Sequence, residues 1–279
     1  MKLVLFTTKI DKGAQAIEEE AKRMSLPCQT YFCEELVYKN GEIFNSSLNL
    51  LSINRDDKII LRDPYNTKSD YSFFTKKILE KYYKNISLDK ERYSKFSFYK
   101  DKLFQVDLFI KLGITTPETF FGRNINRFLK FPVIVKPRIG SRGRGIRIFN
   151  EFKEMESFFA EKDLLDYIIQ KYHKAKKEYR ILLLRHKIIG VVDKYIRLRD
   201  EGKVGVKINK VVNDLSAKIK QDAIRITEEL KADFVGVDVI HAGDGEDYFL
   251  EANLSPQFNA FARATGINVA RKVISSALT

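Results

Sequence analysis

The sequence has few of the residues from which metal centres and disulfide frameworks are built. It contains two cysteines, three histidines and no tryptophan in 279 residues. The spacing of Cys28 and Cys33 matches no zinc-binding pattern, and a disulfide between them would close only a very small loop. We interpret both as reduced thiols near a strand. His173, His186 and His241 are scattered along the chain, and we assign none of them a role.

Long apolar runs are also absent. The first continuous apolar stretch, LVLF, is too short for the core of a signal peptide, and no later stretch is long enough to span a bilayer. We therefore expect a cytoplasmic protein without a membrane partner. The composition leaves a homo-oligomer open.

Acidic residues are fewer than basic ones. The chain has 50 Lys and Arg against 37 Asp and Glu, a formal net charge of +13. This excess permits nucleic acid, an anionic membrane or an acidic protein as partner. The lysines are scattered through the whole chain and form no single block, so we interpret most of them as solvated surface. Nucleic acid is therefore the less favoured partner.

Strand and helix patterns alternate in residues 1–88. KLVLFTT is typical of a buried strand, GAQAIEEEAKRM of a helix, DDKIILRD of a second strand and YSFFTKKILEKYYKN of an amphipathic helix. This order predicts a small α/β domain.

The rest of the chain favours antiparallel hairpins. A helix ends at Gly113, strands follow at 133–135 and 144–149, and EFKEMESFFAEK predicts a helix before the strand DYIIQKY. Two strands flank a tight RHK turn, and a second hairpin closes at AGDGED. Helices cover LSAKIKQDAIRITEELKA and NVARKVISSAL. We predict an α+β arrangement here, divided into residues 89–172 and 173–279.

A glycine-rich loop lies between two of these strands, in VIVKPRIGSRGRGIRI. Gly140, Gly143 and Gly145 allow the backbone to turn sharply and to approach a ligand closely, and free N–H groups in such a turn can bind an anion. The stretch is neither a Walker A motif nor a dinucleotide-binding turn, because its order is strand–loop–strand. It predicts a hairpin over a phosphate chain, with Lys136 on the preceding strand, although a plain β-turn explains the loop equally well.

Two carboxylates and a carboxamide interrupt the strands of the last hairpin. Glu251 and Asn253 are two residues apart in FLEANLSP and therefore face the same side of a strand. Closure at AGDG brings Asp238 of GVDVI opposite them. Buried carboxylates must be paired or bind metal, and an oxygen-only set suits Mg²⁺ shared with phosphate oxygens. The alternative is a surface hairpin with outward-facing acids.

These motifs, in this order, resemble the ATP-grasp superfamily. Lys136 before the loop, IIQKY after the next helix and GVDVI…FLEANLSP…ATGINVA are similar to its RimK-type branch of carboxylate–amine ligases, over about residues 95–275. The resemblance implies an ATP-grasp fold. Residues 1–88 would be the preceding α/β domain, 89–172 the central subdomain with the glycine flap, and 173–279 the subdomain with the metal site.

Carried over by position, the resemblance implies which residues bind ATP. Two lysines would grip its phosphates under a glycine flap, a strand would meet adenine through backbone groups, and a glutamate would contact the ribose. These residues are Lys102, Lys136, Gly140, Ser141, Arg142, Gly143, Gly145, Gln170, Lys171, Tyr172 and Glu178.

The resemblance also implies catalytic and metal-binding residues. Arg180 would lie near the reacting phosphate, and Lys207 and Asn209 would touch the terminal phosphate and metal. The ligands of two Mg²⁺ ions, which Mn²⁺ could replace, would be Asp238, Glu251 and Asn253.

The implied reaction joins a carboxylate to an amine through an acylphosphate, with ATP converted to ADP. Arg62 could hold a substrate carboxylate or form an exposed pair with Asp63, two readings of about equal weight. Arg263 lies where acceptor-side residues usually are, and the family's usual glycine is replaced by Gln257 and Phe258. These residues and the basic balance predict an acidic amino acid, peptide or protein as substrate.

Two other functions remain open from the sequence. One is a peptide-modifying ATP-grasp ligase that forms ester or amide links in a ribosomal peptide. The other is a non-catalytic protein that binds nucleic acid or another anion through the net charge of +13. The second leaves the acids of the last hairpin unexplained.

Overall fold

The structure is a computed structural model that describes residues 1–62, 70–91, 100–124, 128–140, 143–198 and 204–279. Within these ranges it describes the backbone alone for residues 70–72, 196–198 and 204–207. Its α-helices are α1 (Lys12–Arg23), α2 (Asp70–Tyr82), α3 (Lys102–Lys111), α4 (Phe152–Phe159), α5 (Ala217–Glu229), α6 (Asn259–Thr265) and α7 (Val269–Leu278). Its strands are β1 (Leu3–Thr7), β2 (Cys28–Phe32), β3 (Val37–Lys39), β4 (Glu42–Phe44), β5 (Lys58–Leu61), β6 (Thr119–Phe120), β7 (Val133–Pro137), β8 (Arg147–Phe149), β9 (Tyr167–Lys171), β10 (Ala175–Leu184), β11 (Lys187–Leu198), β12 (Val204–Val211), β13 (Phe234–Ala242) and β14 (Asp247–Asn253).

The first sheet is parallel, with strand order β2-β1-β5. All five residues of the central strand β1 are buried, which explains its continuous apolar sequence. Helix α1 begins at Asp11, whose side chain accepts hydrogen bonds from the backbone N–H groups of Gly13 and Ala14. Ile17 of α1 packs in one core with Leu5 of β1. The expected small α/β unit is therefore present, with β3 and β4 pairing separately.

The second sheet is antiparallel, with strand order β6-β9-β7-β8. Val133, Val135 and Ile169 are on one face and form a core with the aromatic residues of α4. Since neighbouring residues of a strand face opposite sides, Lys136 and Gln170 lie on the other face. The predicted ATP-binding residue Lys136 is therefore on the face opposite this core.

The third sheet is also antiparallel, with strand order β12-β11-β10-β13-β14. Ile181, Val237 and Phe249 lie on one face and pack with residues of α3 and α5. On the opposite face, Leu182 and Val192 pack with α6 and α7. The remaining half of that second face carries charged side chains and forms the candidate site.

Packing crosses the predicted boundaries of the chain. Helix α3 falls in the range 89–172, yet Gln105 exchanges two hydrogen bonds of 2.8 and 3.0 Å with the backbone of Ala252 in the third sheet. At the other end, Arg271 of α7 binds Glu20 of α1 at 2.7 Å. The division into three domains stays a prediction.

Several elements differ from the sequence prediction. Strand β8 begins at Arg147, three residues later than predicted, because Gly143 and Gly145 adopt positive φ angles of 66° and 74° and continue the turn. Strand β12 and the β3–β4 hairpin were not predicted. The tight turn between β10 and β11 is present, with φ of 46° at Arg185 and 60° at His186. In the described part of the chain, no helix has the length and apolarity that a bilayer crossing requires.

Candidate active site

Three oxygen-bearing side chains meet on the charged half of the third sheet. The register of β13 and β14 places Asp238 opposite Glu251 and Gly236 opposite Asn253. Glu251 and Asn253 face the same side because they are two residues apart on one strand. Asp238 is 4% exposed, and the side chain of Glu251 is 32% exposed. The sequence predicted this grouping.

Two cations hold Asp238 from neighbouring strands. Arg180 of β10 donates through Nε to Oδ1 at 2.5 Å and through Nη2 to Oδ2 at 2.7 Å. Lys194 of β11 places Nζ 2.9 Å from Oδ1. Burial opposes ionisation of Asp238, but Arg180 and Lys194 outweigh it and hold the pKa of its carboxyl below the ordinary value. Lys194 was not predicted from the sequence.

Gly236 makes room for the guanidinium of Arg180. A Cβ at this position would lie 3.1 Å from Cδ and Nη1 of Arg180 and 3.0 Å from Cβ of Pro256. A side chain here would require Pro256 or Arg180 to shift by a few tenths of an ångström. The glycine of GVDVI is therefore part of the site, two residues before the acid that the sequence singled out.

Glu178 faces the same side as Arg180, two residues earlier on β10. Its Oε1 lies 3.0 Å from Nζ of Lys194, is buried, and has no directed hydrogen bond to any described residue. Burial raises the pKa of Glu178 although Lys194 opposes that shift, and Asp238 raises it further. Oε1 of Glu178 is thus enclosed and paired with Lys194, and the predicted ribose contact of Glu178 stays a prediction.

Lys136 approaches from the second sheet. It is 8% exposed, and its Nζ donates to Oε1 of Gln170 at 2.8 Å. Nε2 of Gln170 in turn donates to Oγ1 of Thr119 at 2.8 Å, which fixes the amide. Burial lowers the pKa of Lys136 to about 8, although Glu251 of the third sheet opposes that shift. An anionic ligand at Nζ would restore the stability of its charged form.

Lys102 is the first residue of α3 and lies between the glycine loop and the third sheet. Its Nζ donates to the carbonyl of Gly140 at 3.1 Å and lies 3.9 Å from Oε2 of Glu251. Asp101 before it accepts from Nε of Arg138 at 3.0 Å, and the backbone N–H of Lys102 donates to the carbonyl of Arg138 at 3.0 Å. The helix start is therefore tied to the base of the loop.

The glycine loop turns tightly against its own first strand. A Cβ on Gly145 would lie 2.8 Å from Cγ of Pro137, closer than side chains tolerate. The positive φ of Gly143 and Gly145 also favours glycine at both positions. Ser141 and Arg142, predicted to cover the phosphates, lie outside the described residues.

The strand predicted to meet adenine is β9 and its exit. The backbone N–H groups of Lys171 and Tyr172 donate to the carbonyls of Glu118 and Pro132, at 2.9 and 3.1 Å. Gln170, predicted to act through its backbone, also contributes its side chain to the orientation of Lys136. The adenine contact of this segment stays a prediction.

Lys207 and Asn209 lie on the edge strand β12. The backbone of Lys207 pairs with Tyr195, and its side chain is outside the described part of the structure. The pairing shifts between Asp193 and Lys194, which makes exposed Asn209 the extra residue of a β-bulge. Their contact with phosphate and metal stays a prediction.

Arg62 lies in a buried cluster with Asp11 and with the segment that follows the hairpin acids. Its Nε and Nη2 donate to Asp11 at 3.0 and 3.3 Å, and Nη2 also donates to the carbonyl of Pro256 at 3.1 Å. Gln257 donates to Oδ1 of Asp11 at 2.7 Å, and Phe258 lies 5.5 Å from the guanidinium carbon. We call Asp11, Arg62 and Gln257 the Arg62 cluster.

This placement corrects the prediction of an exposed ion pair for Arg62 and restricts how Arg62 could contact a substrate carboxylate. Arg62 is 2% exposed, so it is not part of an exposed ion pair, and Asp63 lies outside the described residues. Its Nε and Nη2 donors are used inside the protein, so a substrate contact would have to be made through Nη1 or after one of these bonds is released. Arg263 is exposed on α6. Substrate binding by both arginines stays a prediction.

Seven charged side chains of the site form what we call the cleft cluster. They are Lys102, Lys136, Glu178, Arg180, Lys194, Asp238 and Glu251. Four cations against three carboxylates leave one positive charge in excess, and four of the members are close enough to Lys136 to affect its pKa. Lys102 and Lys136 on one side and Glu251 on the other suit a phosphate chain bound together with a metal ion.

The hairpin acids fit Mg²⁺ better than a softer metal. In the described residues, no three His, Cys, Asp or Glu side chains are arranged to bind a metal by themselves. Glu251 and Asn253 supply oxygen ligands only, and Mg²⁺ is usually held by one or two carboxylates with substrate phosphates. These residues therefore fit Mg²⁺ that arrives with a nucleotide.

The domain model described as a RimK-like ATP-grasp domain matches residues 100–277. The chain belongs to the RimK-like ATP-grasp family. Family membership makes it a ligase enzyme that forms C–N bonds, and ATP-grasp ligases use ATP and Mg²⁺.

Individual RimK-like relatives are distant in sequence. The glutamate–LysW ligase ArgX of Sulfolobus acidocaldarius is 24% identical over 190 residues, which cover 63% of this chain and 67% of ArgX. A probable alpha-L-glutamate ligase of Shewanella pealeana is 28% identical over 192 residues, 63% of this chain and 41% of that protein. The chain thus spans two thirds of one relative and less than half of the other.

The fold is shared over nearly the whole length with a solved structure. The ATP-grasp ligase PsnB, complexed with a minimal precursor, has a TM-score of 0.74 at 15% identity, with 99% of this chain and 98% of PsnB covered. This likeness includes the first α/β unit, which the RimK-like domain match does not reach.

Proposed function

We propose that the protein is an ATP-dependent ligase that activates a carboxylate as an acylphosphate and joins it to an amine. The observation that carries the proposal is the cleft itself. Lys136 from the second sheet and Lys102 from α3 face Glu251 and Asn253 of the third sheet. Cations that can neutralise phosphate are therefore opposite oxygen ligands that can hold its metal.

The reaction has two steps that need no covalent bond to the protein. A carboxylate oxygen of the substrate attacks the γ-phosphorus of ATP, the bond to the bridging oxygen breaks, and ADP leaves. The amine nitrogen of the second substrate then attacks the acyl carbon and expels inorganic phosphate, and the nitrogen loses its proton. Both steps build negative charge on phosphate oxygens, which positioned cations stabilise.

The cleft cluster supplies these cations from side chains that neighbouring groups already hold in place. Lys136 is held by Gln170, and a bound phosphate would raise the pKa of Lys136 from about 8 toward its ordinary value. Lys102 is fixed at the start of α3 and reaches the glycine loop. Arg180 is oriented by Asp238. Bound Mg²⁺ would supply further positive charge at the phosphate oxygens.

Three features support an acidic substrate. The relatives ArgX and the Shewanella protein are described as glutamate ligases. The cleft cluster has a cationic excess, and the whole chain carries a net charge of +13. An acidic amino acid, or an acidic segment of a peptide or protein, is attracted by such a field. A peptide substrate is supported by the shared fold of PsnB, which is complexed with a precursor.

The test is a screen for ADP release from purified protein with ATP and Mg²⁺. Acidic amino acids, neutral amino acids and acidic peptides would be offered in pairs, and products would be weighed by mass spectrometry. We expect ADP to form only when a carboxylate and an amine are both present, with a product mass lower than the two substrates by one water. ADP release that is independent of every acceptor would contradict a ligase. A peptide product with an internal link would favour the peptide-modifying alternative.

A further inference from the structure

Lys194 occupies a position in the site that neither the motifs nor the family resemblance assigned. We propose that its ammonium group serves as a fixed cation at Asp238, so that this chain binds one Mg²⁺ through Glu251 and Asn253 instead of two ions. The inference rests on the proposed function, because the ion in question is the one that accompanies ATP. It concerns how the site is charged and leaves the reaction itself unchanged.

The ammonium of Lys194 is buried between two carboxylates. Lys194 is 5% exposed and lies on β11, inside the sheet between β10 and β12. Its Nζ is 2.9 Å from Oδ1 of Asp238 and 3.0 Å from Oε1 of Glu178. If it left Asp238, a buried cation would keep a single partner and Asp238 would lose one of its two cations, and both changes are unfavourable.

Asp238 is already saturated with positive charge. Oδ1 accepts from Nε of Arg180 and lies next to Lys194, and Oδ2 accepts from Nη2 of Arg180. These contacts use three of the roughly four lone-pair positions of a carboxylate, and cations this close repel a divalent ion. Two cations within 2.9 Å of the carboxylate work against a divalent ion at the same oxygens.

Glu251 is in the opposite situation. Lys136 and Arg180 act on Glu251 from longer range, Lys102 is 3.9 Å from Oε2, beyond hydrogen-bond distance, and the side chain of Glu251 is 32% exposed. Asn253 is half-buried on the same face of the edge strand β14. One carboxylate and one carboxamide, completed by phosphate oxygens and water, are sufficient ligands for one Mg²⁺. The donor set that the resemblance gave to two ions is therefore divided here between one ion and one lysine.

The count of bound ions in the unaltered protein tests this directly. Mn²⁺ would be titrated into protein saturated with a non-hydrolysable ATP analogue, and free Mn²⁺ would be followed by its electron paramagnetic resonance signal. We expect one Mn²⁺ for each bound analogue. Two ions of similar affinity would overturn the inference while the proposed function stands. Failure of the analogue to bind at all would overturn both.

A charge-removing variant tests whether Lys194 is the cause. Lys194→Met keeps the length of the side chain and should admit a second Mn²⁺, bound at least roughly ten times more tightly than in the unaltered protein. Lys187→Met, an exposed lysine at the start of the same strand, is the matched control and should still bind one ion. A folded Lys194→Met protein that still binds one ion would overturn the assignment. If this variant does not fold, the ion count of the unaltered protein still decides.

Discussion

The Arg62 cluster and the cleft cluster both bury an arginine against an aspartate, yet the two serve different ends. In the Arg62 cluster, Asp11 also accepts from Gln257, from the Thr7 hydroxyl and from the first turn of α1. Every partner comes from the protein, and the guanidinium is packed near Phe258. The cluster joins the first α/β unit to the chain that follows the hairpin acids.

The directions of the pKa shifts separate Asp11 from Lys136 and Glu178 of the cleft cluster, whereas the pKa of Asp238 in that cluster is lowered like that of Asp11. Burial opposes ionisation of Asp11, but Arg62 outweighs it and lowers the pKa of the carboxyl to about 2, so the charged form is favoured. In the cleft cluster, burial lowers the pKa of Lys136 to about 8 and raises that of Glu178. Both of the latter shifts favour the neutral form. Charges of the Arg62 cluster stabilise the fold, whereas the cleft holds charges that a ligand is needed to satisfy.

The largest effect is expected from Glu251→Gln in the cleft. Glutamine keeps the shape and removes a charge that Mg²⁺ needs, so turnover should fall by roughly a thousand-fold or more while the fold is retained. ADP release and circular dichroism would be measured together. Glu246→Gln, an exposed residue in the turn of the same hairpin, should leave turnover unchanged. A folded Glu251→Gln enzyme with near-normal turnover would refute the metal assignment.

We expect Arg62→Met to lower the stability of the fold. An unchanged stability would remove the distinction between the Arg62 cluster and the cleft cluster. Removal of the guanidinium leaves Asp11 buried and unpaired, which should lower the free energy of unfolding by about 3–5 kcal/mol. Chemical denaturation would measure this, with the exposed Arg263→Met as control. A stable Arg62→Met protein with a raised KM for the acidic substrate would instead support the substrate contact predicted from the sequence.

Lys136→Met tests the cleft cluster through the pH dependence of the free energy of unfolding. A lysine whose pKa is lowered from 10.5 to about 8 in the folded state destabilises the fold below pH 8, and that loss is relieved as pH rises from about 8 to 10.5. The stability of the unaltered protein relative to Lys136→Met should therefore rise by roughly 3 kcal/mol across this window. Denaturation series at pH 7.5 and 10.5 would show it, and a constant difference would contradict the burial of the charge.

Asp11→Asn should give the smallest effect and the opposite kind of pH dependence. Because the pKa of Asp11 is lowered from 3.8 to about 2, its charge stabilises the fold above pH 4, and this stability is lost as pH falls from about 4 to 2. The advantage of the unaltered protein over the variant should shrink by roughly 2 kcal/mol in that range. An advantage that does not change with pH would mean that Asp11 contributes through its hydrogen bonds alone.

Local sequence patterns predicted the grouping of the hairpin acids and the form of the glycine loop. The two-residue spacing of Glu251 and Asn253 predicted that they share one face, and hairpin closure at AGDG predicted that Asp238 lies opposite them. The strand–loop–strand form of the glycine loop was predicted from the short apolar runs on either side of the glycines. Both features depend on neighbours in the chain.

Long-range partners could not be predicted in this way. Arg62 and Asp11 are 51 residues apart, and nothing near either one indicates the other. Lys194 stands in GVVDKYIRL, where it resembles the many surface lysines. A lysine two residues after the buried Val192, and therefore on the same face, was the available signal. Strand β12 was missed although Val204, Val206 and Ile208 alternate with small or polar residues, a pattern typical of a strand.

The central claim is that the cleft cluster binds the phosphates of Mg-ATP, and a titration of a non-hydrolysable ATP analogue with Mg²⁺ tests it most directly. Calorimetry should show binding to the unaltered protein and to Lys130→Met, an exposed control, and at least roughly ten-fold weaker binding to Lys136→Met. The analogue at about 100 times its dissociation constant should also stabilise the unaltered protein by roughly 2.7 kcal/mol. Equal affinity of all three proteins, or no binding by any of them, would contradict the account.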